Sequence, residues 1–474
     1  MGGMGFSGDI GRAQARAPLR CPRPDIRLAL ESAHRLDRQA PGLSARQTFS
    51  PGQRATVTGL LKFLGLMALL VPELPGLLVM LLVPPVFVAI ILFRLFLLAV
   101  ALRLNREDPQ DDGAATPLLP VYTVLVALKD ETAVVPQLAQ ALSALDYPQD
   151  RIDLKLLVEE ADVRTQTAVR GQSWPNGAEL LIVPAGQPQT KPRALNYGLD
   201  SARGTYVVVY DAEDRPHPSQ LKSAVRAFNA HGTELACVQA PLVGVPAKGG
   251  WFARQWAQEY AIQFSLLVPA LARLGLPVAL GGTSNHFRRT SLVAAGGWDA
   301  WNVTEDADLG LRLARLGHRV GAIRSPTLEA PPERGRDWRA QRSRWLKGYM
   351  QTWCVLMRGD GEVPGLASAA FLSVQMTLGA AILSAMVHGP WAVWCAACLC
   401  LPGLSLGVFG LSALCLSLFT GVVSASVAPG RWNWHRVFVI LTLPLYWPLQ
   451  TLAMVRALWS LSRTPHYWAK TPHI

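Results

Sequence analysis

Charged residues are almost absent from two long stretches of this 474-residue chain, residues 60–102 and 366–461. The part between them, from about Asn105 to Asp360, is charged and patterned like a globular domain. Long apolar runs of this kind argue against an ordinary soluble protein. The pattern therefore predicts membrane-spanning helices on both sides of one sizeable soluble domain.

Cysteines are also few, seven in all, and they form no recognisable disulfide framework. We therefore expect the soluble domain to face a reducing cytoplasm. Three of them make a CxxCxC string at residues 395–400, but that apolar run has no histidine or carboxylate, so we interpret them as membrane-buried thiols rather than metal ligands. Strands that interleave aromatic and basic residues are missing too, so the net charge of +12 does not indicate nucleic-acid binding.

The distribution of charge and proline divides the chain into six segments. The first is a basic tail that is expected to be largely disordered and cytosolic. Two spans, Val57–Leu70 and Leu77–Val100, follow as a hairpin whose basic flanks place the middle domain in the cytosol, with Arg94 reaching toward the cytosolic end beside Arg103. The segments are residues 1–54 (tail), 55–104 (transmembrane hairpin), 110–335 (α/β domain), 336–360 (amphipathic interfacial helix), 366–461 (C-terminal transmembrane block) and 462–474 (cytosolic tail).

The C-terminal block is predicted to hold four spans, or three if residues 391–427 form one span and a connector. The four-span interpretation keeps the last basic tail in the cytosol. Its spans lie near Ala369–Val387, Trp391–Gly407, Val408–Ser426 and Phe438–Leu458.

Short apolar runs alternate with helical patterns from Val121 onward. The runs VYTVLVAL, DLKLLVEE, AELLIVPA and TYVVVYDAED are typical of strands, and helices are predicted over Val134–Leu145 and Lys191–Ala202. This alternation predicts an open, largely parallel α/β sheet, which binds ligands beyond the carboxyl ends of its strands. Acidic residues at those ends are Glu131, Glu160, Asp162, Asp211 and Glu213.

Asp211 and Glu213 follow the run VVVY at alternating positions, so both side chains point the same way from the strand end. Carboxylates placed like this hold a divalent cation, which a pyrophosphate leaving group needs. Acids followed by Arg215-Pro216 are also common in a solvated turn. The pair is therefore either a metal site or part of an ordinary solvated turn.

The string Thr304-Glu305-Asp306 places carboxylates in the first turn of a predicted helix, where the helix dipole favours negative charge. A hydroxyl that attacks a sugar must lose its proton to a carboxylate base. Asp306 is our candidate for that base. Glu305 and Asp308 are competitors that the sequence leaves open.

The string QRSRW brings Gln341, Arg344 and Trp345 to one face of a helix. An amide, a fork of cationic donors and a flat ring suit a pyrophosphate and a sugar. Trp345 also fits an interfacial anchor. Upstream, residues 280–288 look like a strand that the pair Gly281-Gly282 interrupts, which allows a ligand to approach the backbone.

Taken in order, these motifs resemble those of inverting family 2 glycosyltransferases with a GT-A fold. The chain is similar to the membrane-embedded, processive type that includes cellulose, hyaluronan and chitin synthases, and more so to XagB-like bacterial exopolysaccharide transferases. The resemblance implies the α/β class, with a GT-A (Rossmann-like) cytosolic domain inserted between transmembrane α-helices. The matching strings are Glu131 at its strand end, Asp162 after LLVEE, QTKPRALNYG, YDAED, GGTSNHFRR, TED, QRSRW and the ending HYWAKTPH.

The resemblance also implies a role for each matching residue. Nucleotide-sugar contacts fall to Glu131, Asp162, Lys191, Asp211, Gln341 and Arg344. The catalytic base is Asp306, and the acceptor is held by Trp345 with Gly282 and Thr283. The metal, Mg or Mn, is held by Asp211 and Glu213.

We expect a multi-pass enzyme of the bacterial inner membrane that uses a nucleotide sugar, which we expect to be UDP-linked. It is expected to extend a β-linked polysaccharide processively and to couple this extension to export. The alternative is transfer of a single sugar to a polyprenyl phosphate or another lipid. Expected partners are the sugar donor, a glycan or lipid acceptor, the bilayer, and periplasmic or export proteins, but no nucleic acid. A transporter is disfavoured because its helices would be broken or polar near the bilayer centre.

Overall fold

A mixed sheet occupies the centre of the middle domain in the computed structural model, which describes residues 19–107, 119–175, 177–246, 249–358 and 365–468. Its central strands are runs of Val, Leu and Ile that are buried on both faces, as parallel strands require. The strands are β1 (Tyr122–Leu128), β2 (Ile152–Glu159), β3 (Glu179–Val183), β4 (Tyr206–Tyr210), β5 (Arg215–Pro216), β6 (Leu235–Gln239), β7 (Leu242–Gly244), β8 (Asn285–Arg288), β9 (Arg319–Ala322) and β10 (Thr327–Glu329).

Seven strands form the main sheet in the order β3-β2-β1-β4-β8-β6-β9, and β5-β10-β7 form a small second sheet. Strands β1 to β4 are all parallel, whereas β8 lies antiparallel between β4 and β6. The carboxyl ends of β1, β2 and β4 therefore meet at one edge, as the sequence predicts. The strand predicted over 280–288 is only β8, because Ser284 adopts a left-handed φ of 55° just before it.

Helices surround this sheet and continue beyond it at both ends of the chain. They are α1 (Ile26–Ala33), α2 (Arg35–Gln39), α3 (Pro51–Leu70), α4 (Leu74–Glu107), α5 (Val135–Ser143), α6 (Val163–Arg170), α7 (Lys191–Asp200), α8 (Gln220–His231), α9 (Trp251–Ile262), α10 (Val268–Arg273), α11 (Arg289–Ala294), α12 (Glu305–Arg315), α13 (Gly335–Leu356), α14 (Ser368–Val374), α15 (Ala380–Cys400), α16 (Gly407–Val427), α17 (Trp434–Leu441), α18 (Leu443–Tyr446) and α19 (Leu449–Arg463).

The N-terminal tail differs from the expectation of disorder over residues 19–54, while residues 1–18 lie outside the described residues. Helix α1 packs on α7, where the amide of Asn196 donates to the carbonyl of Ser32 at 3.3 Å. The guanidinium of Arg358 is buried and donates to backbone carbonyls of the segment between α2 and α3. Those carbonyls belong to Pro41, Gly42, Ser44, Gln47 and Thr48. The segment is ordered by long-range contacts, which its polar composition does not reveal.

Three helices in the described parts of the chain are long and apolar enough to cross a membrane: Gly76–Leu104, Ser368–Cys400 and Gly410–Val427. A fourth apolar unit consists of Trp434–Leu441 and Leu443–Arg463, which meet at a bend of 50°. Helix α3, which contains the first predicted span, is not among them, since it carries Arg54 and Lys62. Insertion into a membrane and the number of crossings stay predictions.

The spans predicted at Ala369–Val387 and Trp391–Gly407 share one helical run, Ser368–Cys400, despite Pro390. The hydroxyl of Thr451 accepts from the Gly389 N–H at 2.8 Å and donates to the Ala385 carbonyl at 2.7 Å. This bridge satisfies the backbone groups of the turn next to the proline, so the helix continues. The C-terminal block thus has three helical units where four were predicted.

Candidate functional site

A cavity of about 560 Å³ begins at the carboxyl ends of the central strands and continues between α4, α15 and α16. It brings together every predicted site residue except Asp162. Those lining it are Glu131, Lys191, Asp211, Glu213, Gly282, Thr283, Asp306, Gln341, Arg344 and Trp345. Residues separated by more than two hundred positions therefore share one space.

Lys191 joins three elements of this site. It is the first residue of α7, and Pro192 follows it because proline is tolerated in a first helical turn. Its ammonium group donates to the Asp211 carboxylate and, at 2.7 Å, to the Gly282 carbonyl. Burial lowers the pKa of Lys191, but the nearby carboxylates of Asp211 and Glu305 outweigh it and raise the pKa above its usual value. The lysine is therefore charged at neutral pH.

Gly282 lies between two of the predicted site carboxylates, Asp306 and Asp211. A Cβ atom added to this glycine would lie 3.5 Å from Oδ2 of Asp306 and 4.0 Å from Oδ2 of Asp211. Both acids therefore face the same small space, although Asp211 follows β4 and Asp306 lies in the first turn of α12. A side chain at position 282 would occupy room that a ligand atom can use.

The three acids of α12 differ in their surroundings, and this leaves two of the three candidate bases facing the cavity. Asp308 is buried in an ion pair with Arg312 at 2.8 Å and does not line the cavity, so it is not a candidate. Glu305 lines the cavity, where burial and the charge of Asp306 raise its pKa to about 7. Burial also raises the pKa of Asp306, while the backbone N–H of Ala307 and Lys191 act against the rise.

The acids after β4 point in two directions. Glu213 lines the cavity with Asp211, whereas Asp214 turns inward and accepts hydrogen bonds from the Asp211 N–H, at 2.7 Å, and from the Thr283 hydroxyl. No group of three or more metal-ligating side chains occurs in the described residues. Two cavity-facing carboxylates nevertheless fit a Mg or Mn ion, since such ions take their other ligands from substrate phosphates and water.

The helix α13 presents its cationic and aromatic residues to the same cavity. The Gln341 side-chain oxygen accepts from the Trp256 indole at 2.9 Å, which fixes the orientation of the amide. Arg344 donates to the Val303 carbonyl at 3.4 Å, and its buried Nε has no hydrogen-bond partner in the described part of the chain. A guanidinium with an unpaired buried donor suits an anionic ligand.

Trp345 lies between a cation and a ring. The Arg342 guanidinium carbon is 4.8 Å from the centroid of Trp345, and the Tyr260 ring stacks against it with centroids 6.0 Å apart. Both contacts hold the indole in one orientation. The tryptophan is therefore fixed at the junction of the domain and the apolar helices, and it is more than a surface anchor.

Asp162 does not line the cavity. Its carboxylate accepts from the backbone N–H of Thr165 at 3.1 Å, capping α6, and from that of Asp130 at 2.6 Å. It thereby fixes the loop that carries Glu131, which is buried and does line the cavity. A direct contact between Asp162 and a nucleotide stays a prediction.

Among the cavity residues that the sequence analysis gave no site role are Arg94, Glu329 and Trp468. Glu329 ends β10, so the strand-end rule that found Asp211 would have found it. Burial and the charges of Asp214 and Asp211 raise its pKa well above the usual value. The Trp468 ring centroid lies 5.5 Å from the Arg344 guanidinium carbon, and the string HYWAKTPH was its only signal.

Comparison with known proteins identifies relatives of this chain. Residues 206–459, more than half of it, match the model of the family described as glycosyl transferase family group 2. A beta-monoglucosyldiacylglycerol synthase of Synechocystis sp. is 28% identical over 397 residues, which are 79% of this chain and 80% of that protein. A probable glucomannan 4-beta-mannosyltransferase of Oryza sativa subsp. japonica is 27% identical over 260 residues, 52% of this chain but only 45% of the relative.

A solved structure resembles the fold. It is the mannosyltransferase PcManGT from Pyrobaculum calidifontis in complex with GDP-Man and Mn2+, with a TM-score of 0.51 and 19% identity. The match covers 81% of this chain and 99% of that one. At this identity the likeness shows the fold alone, a GT-A-like α/β domain whose central sheet is mainly parallel.

Proposed function

The chain belongs to glycosyl transferase family group 2, and on that premise we propose that it transfers a hexose from a nucleotide-diphosphate sugar, UDP-linked by expectation, to an acceptor hydroxyl with inversion at the anomeric carbon. The observation that carries the proposal is the shared space at Gly282, which Asp306 and Asp211 both face. Lys191 and Arg344 line the same cavity and supply positive charge for a departing diphosphate.

The proposed reaction is a single displacement. The acceptor oxygen forms a bond to the anomeric carbon as the bond from that carbon to the phosphate oxygen breaks. The hydroxyl proton passes to the Asp306 carboxylate, and the nucleoside diphosphate leaves with the bonding electron pair. Lys191 and Arg344 stabilise the charge that develops on the leaving group, and attack from the opposite face inverts the configuration.

Asp211 and Glu213 would hold Mg or Mn in this scheme, and the bound ion would neutralise charge on the diphosphate. Support comes from the cavity-facing position of both carboxylates and from a structural neighbour that was solved in complex with GDP-Man and Mn2+. Lys191 already neutralises Asp211 in the structure, so a cation at this position would share that carboxylate with the lysine.

The acceptor expected from the sequence is the end of a growing β-linked polysaccharide, extended processively and exported. The path of the cavity supports it, because the space continues from Trp345 between the apolar helices. Hydroxyl and amide groups occur along that path and suit a sugar chain; they belong to Ser417, Thr420, Ser424 and Gln450. The likeness to a named glucomannan mannosyltransferase points the same way.

Transfer of one sugar to a lipid is the second candidate, and two observations favour it. Aliphatic side chains also line the helix end of the cavity, among them Ile90, Ile91, Leu97 and Leu378, and these suit a hydrocarbon chain. One relative that matches over most of both chains is a beta-monoglucosyldiacylglycerol synthase. Either acceptor agrees with an inner-membrane enzyme whose catalytic domain faces the cytosol, which we propose from the apolar helices.

The test is an incorporation assay with the purified full chain in lipid. A panel of labelled nucleotide sugars is supplied with Mg or Mn, and products are separated by size. We expect one donor to give label in a ladder of long glycans or in a single glycolipid band, which separates the two acceptors. Absence of transfer from every donor, with glycan and lipid acceptors both present, would contradict the proposed function.

A further inference from the structure

Arg94 is a charged side chain in the middle of an apolar helix. The segment Gly76–Leu104 has a mean hydropathy of 2.8, and its only charged residues are Arg94 and, near its end, Arg103. A guanidinium at such a position is costly unless it meets a partner or a ligand, and charged groups within apolar helices usually mark a binding site.

The Arg94 side chain lines the cavity that also contains Asp306. Its Nε donates to the hydroxyl of Ser424 on α16 at 3.3 Å. That hydroxyl in turn donates to the carbonyl of Thr420 at 2.6 Å, which keeps its oxygen turned toward the arginine. The geometry holds the guanidinium at the cavity wall.

Arg94 has no carboxylate within ion-pair distance among the residues that the structure describes. Glu259 lines the same cavity, but it is already bound by the guanidinium of Arg342 and by the Tyr446 hydroxyl at 2.9 Å. The Ser424 bond uses one of the five N–H donors of the guanidinium, and no carboxylate pairs directly with the others among the described residues. The guanidinium therefore retains donors for a ligand in a cavity that both apolar and hydroxyl side chains line.

We propose that Arg94 binds the phosphate group of a lipid acceptor; this inference rests on the sugar transfer proposed above and names its acceptor class. A phosphate matches the planar fork of a guanidinium and supplies the missing negative charge. Ile90, Ile91 and Leu97 on the same helix line the cavity around it and suit a hydrocarbon chain. A neutral glycan would leave the charge unmatched.

The test compares three hydroxyl-bearing acceptors in the same assay: a sugar linked to a polyprenyl diphosphate, a phosphatidylglycerol and an uncharged diacylglycerol. We expect wild type to glycosylate one of the two phosphate lipids, which also identifies the source of the phosphate. Arg94→Gln should raise KM for that lipid at least about ten-fold, the loss expected for a charge-assisted hydrogen-bonded contact. KM for the nucleotide sugar should not change, and Arg94→Lys should restore part of the acceptor affinity.

Arg103→Gln is the matched control, because Arg103 is exposed on the same helix and does not line the cavity. It should behave like wild type, and melting temperatures of all variants in detergent show whether each one is folded. The proposal is overturned if wild type uses only diacylglycerol or glycans, or if folded Arg94→Gln keeps its KM for the phosphate lipid. Donor hydrolysis, measured as slow release of nucleoside diphosphate without any acceptor, would persist under both of these outcomes. The proposed sugar transfer would then still be supported although the role of Arg94 is overturned.

Discussion

The two ends of the central sheet hold charged side chains in opposite ways. At the amino end, Asp153 accepts from the Thr123 hydroxyl at 2.8 Å and from Arg203 at 2.7 Å. Lys155 lies 3.0 Å from Asp153 and 2.6 Å from Glu179. Burial would raise the pKa of Asp153, but the backbone N–H of Arg203 and the charge of Lys155 outweigh it and lower the pKa.

At the carboxyl end, acids outnumber their cationic partners. Asp211, Glu305 and Asp306 line one cavity with Lys191 and Arg344. The pKa values of Glu305 and Asp306 are raised, chiefly by burial. Carboxylates at the amino end thus stabilise the folded chain, whereas those at the carboxyl end cost stability and stay available to a ligand, as functional groups commonly do.

The largest expected effects on activity and stability come from replacing one aspartate with asparagine at each end of the sheet. Asp306→Asn should lower the rate of transfer by about 10²- to 10⁴-fold, because the proton acceptor is removed, without lowering the melting temperature. Asp153→Asn should cost about 3 kcal/mol of unfolding free energy, because it breaks a buried charge network, and should leave turnover per folded molecule unchanged. Initial rates and thermal unfolding in detergent measure both. A stable, inactive Asp153→Asn variant would break the comparison.

Two neighbouring glycines offer a second contrast. Gly282→Ala adds a methyl group at ordinary contact distance from Asp306 and Asp211, so the chain should fold, but kcat/KM should fall about 100-fold because substrate is displaced. Gly281→Ala would place its methyl group 2.8 Å from Phe264 and 2.9 Å from Leu242, so it should lower the melting temperature. Equal kcat/KM in Gly282→Ala and wild type would show that the reacting atoms lie elsewhere.

The smallest expected effect is on the pH dependence of stability. The raised pKa of Glu305, about 7, means that the folded chain holds a proton between pH 4.5 and 7 that the unfolded chain releases. Stability should therefore fall as pH rises through that window, and Glu305→Gln should remove part of the fall. The lowered pKa of Asp153 acts with the opposite sign, since its stabilisation is lost as pH falls below about 4.

Melting temperatures at pH 5 and pH 7.5 check this. Wild type should have a lower melting temperature at pH 7.5 than at pH 5. In Glu305→Gln the difference between the two melting temperatures should be smaller by about 3 °C. An identical shift in both proteins would mean that Glu305 is not the group that titrates.

Sequence reasoning found the carboxyl-end site because two regularities act there. Parallel strands end at one edge, which brings Glu131 and Asp211 together, and helix N-termini favour acids such as Asp306. It missed contacts that no local pattern encodes. Arg358 orders a loop more than three hundred residues earlier in the chain, and Thr451 satisfies the backbone beside Pro390 from another helix.

The amino-end network was missed for a related reason. Lys155 sits within the run DLKLLVEE, which is typical of a buried strand, and its partner Glu179 comes from the next strand. Pairing of β2 with β3 adds Glu179 to the contact that Lys155 makes with Asp153 on its own strand. The cavity-facing position of Arg94 was likewise not predicted, because only the packing of α4 against α16 shows which side of the helix faces the cavity.

The most direct test of the account is equilibrium binding of the labelled nucleotide sugar to Asp306→Asn, measured in the same lipid as transfer. The account predicts that this variant binds the donor within about three-fold of wild type while transfer is lost, because Asp306 handles the acceptor proton and Lys191 and Arg344 hold the diphosphate. Normal turnover in the variant, or loss of donor binding equal to the loss of turnover, would contradict it.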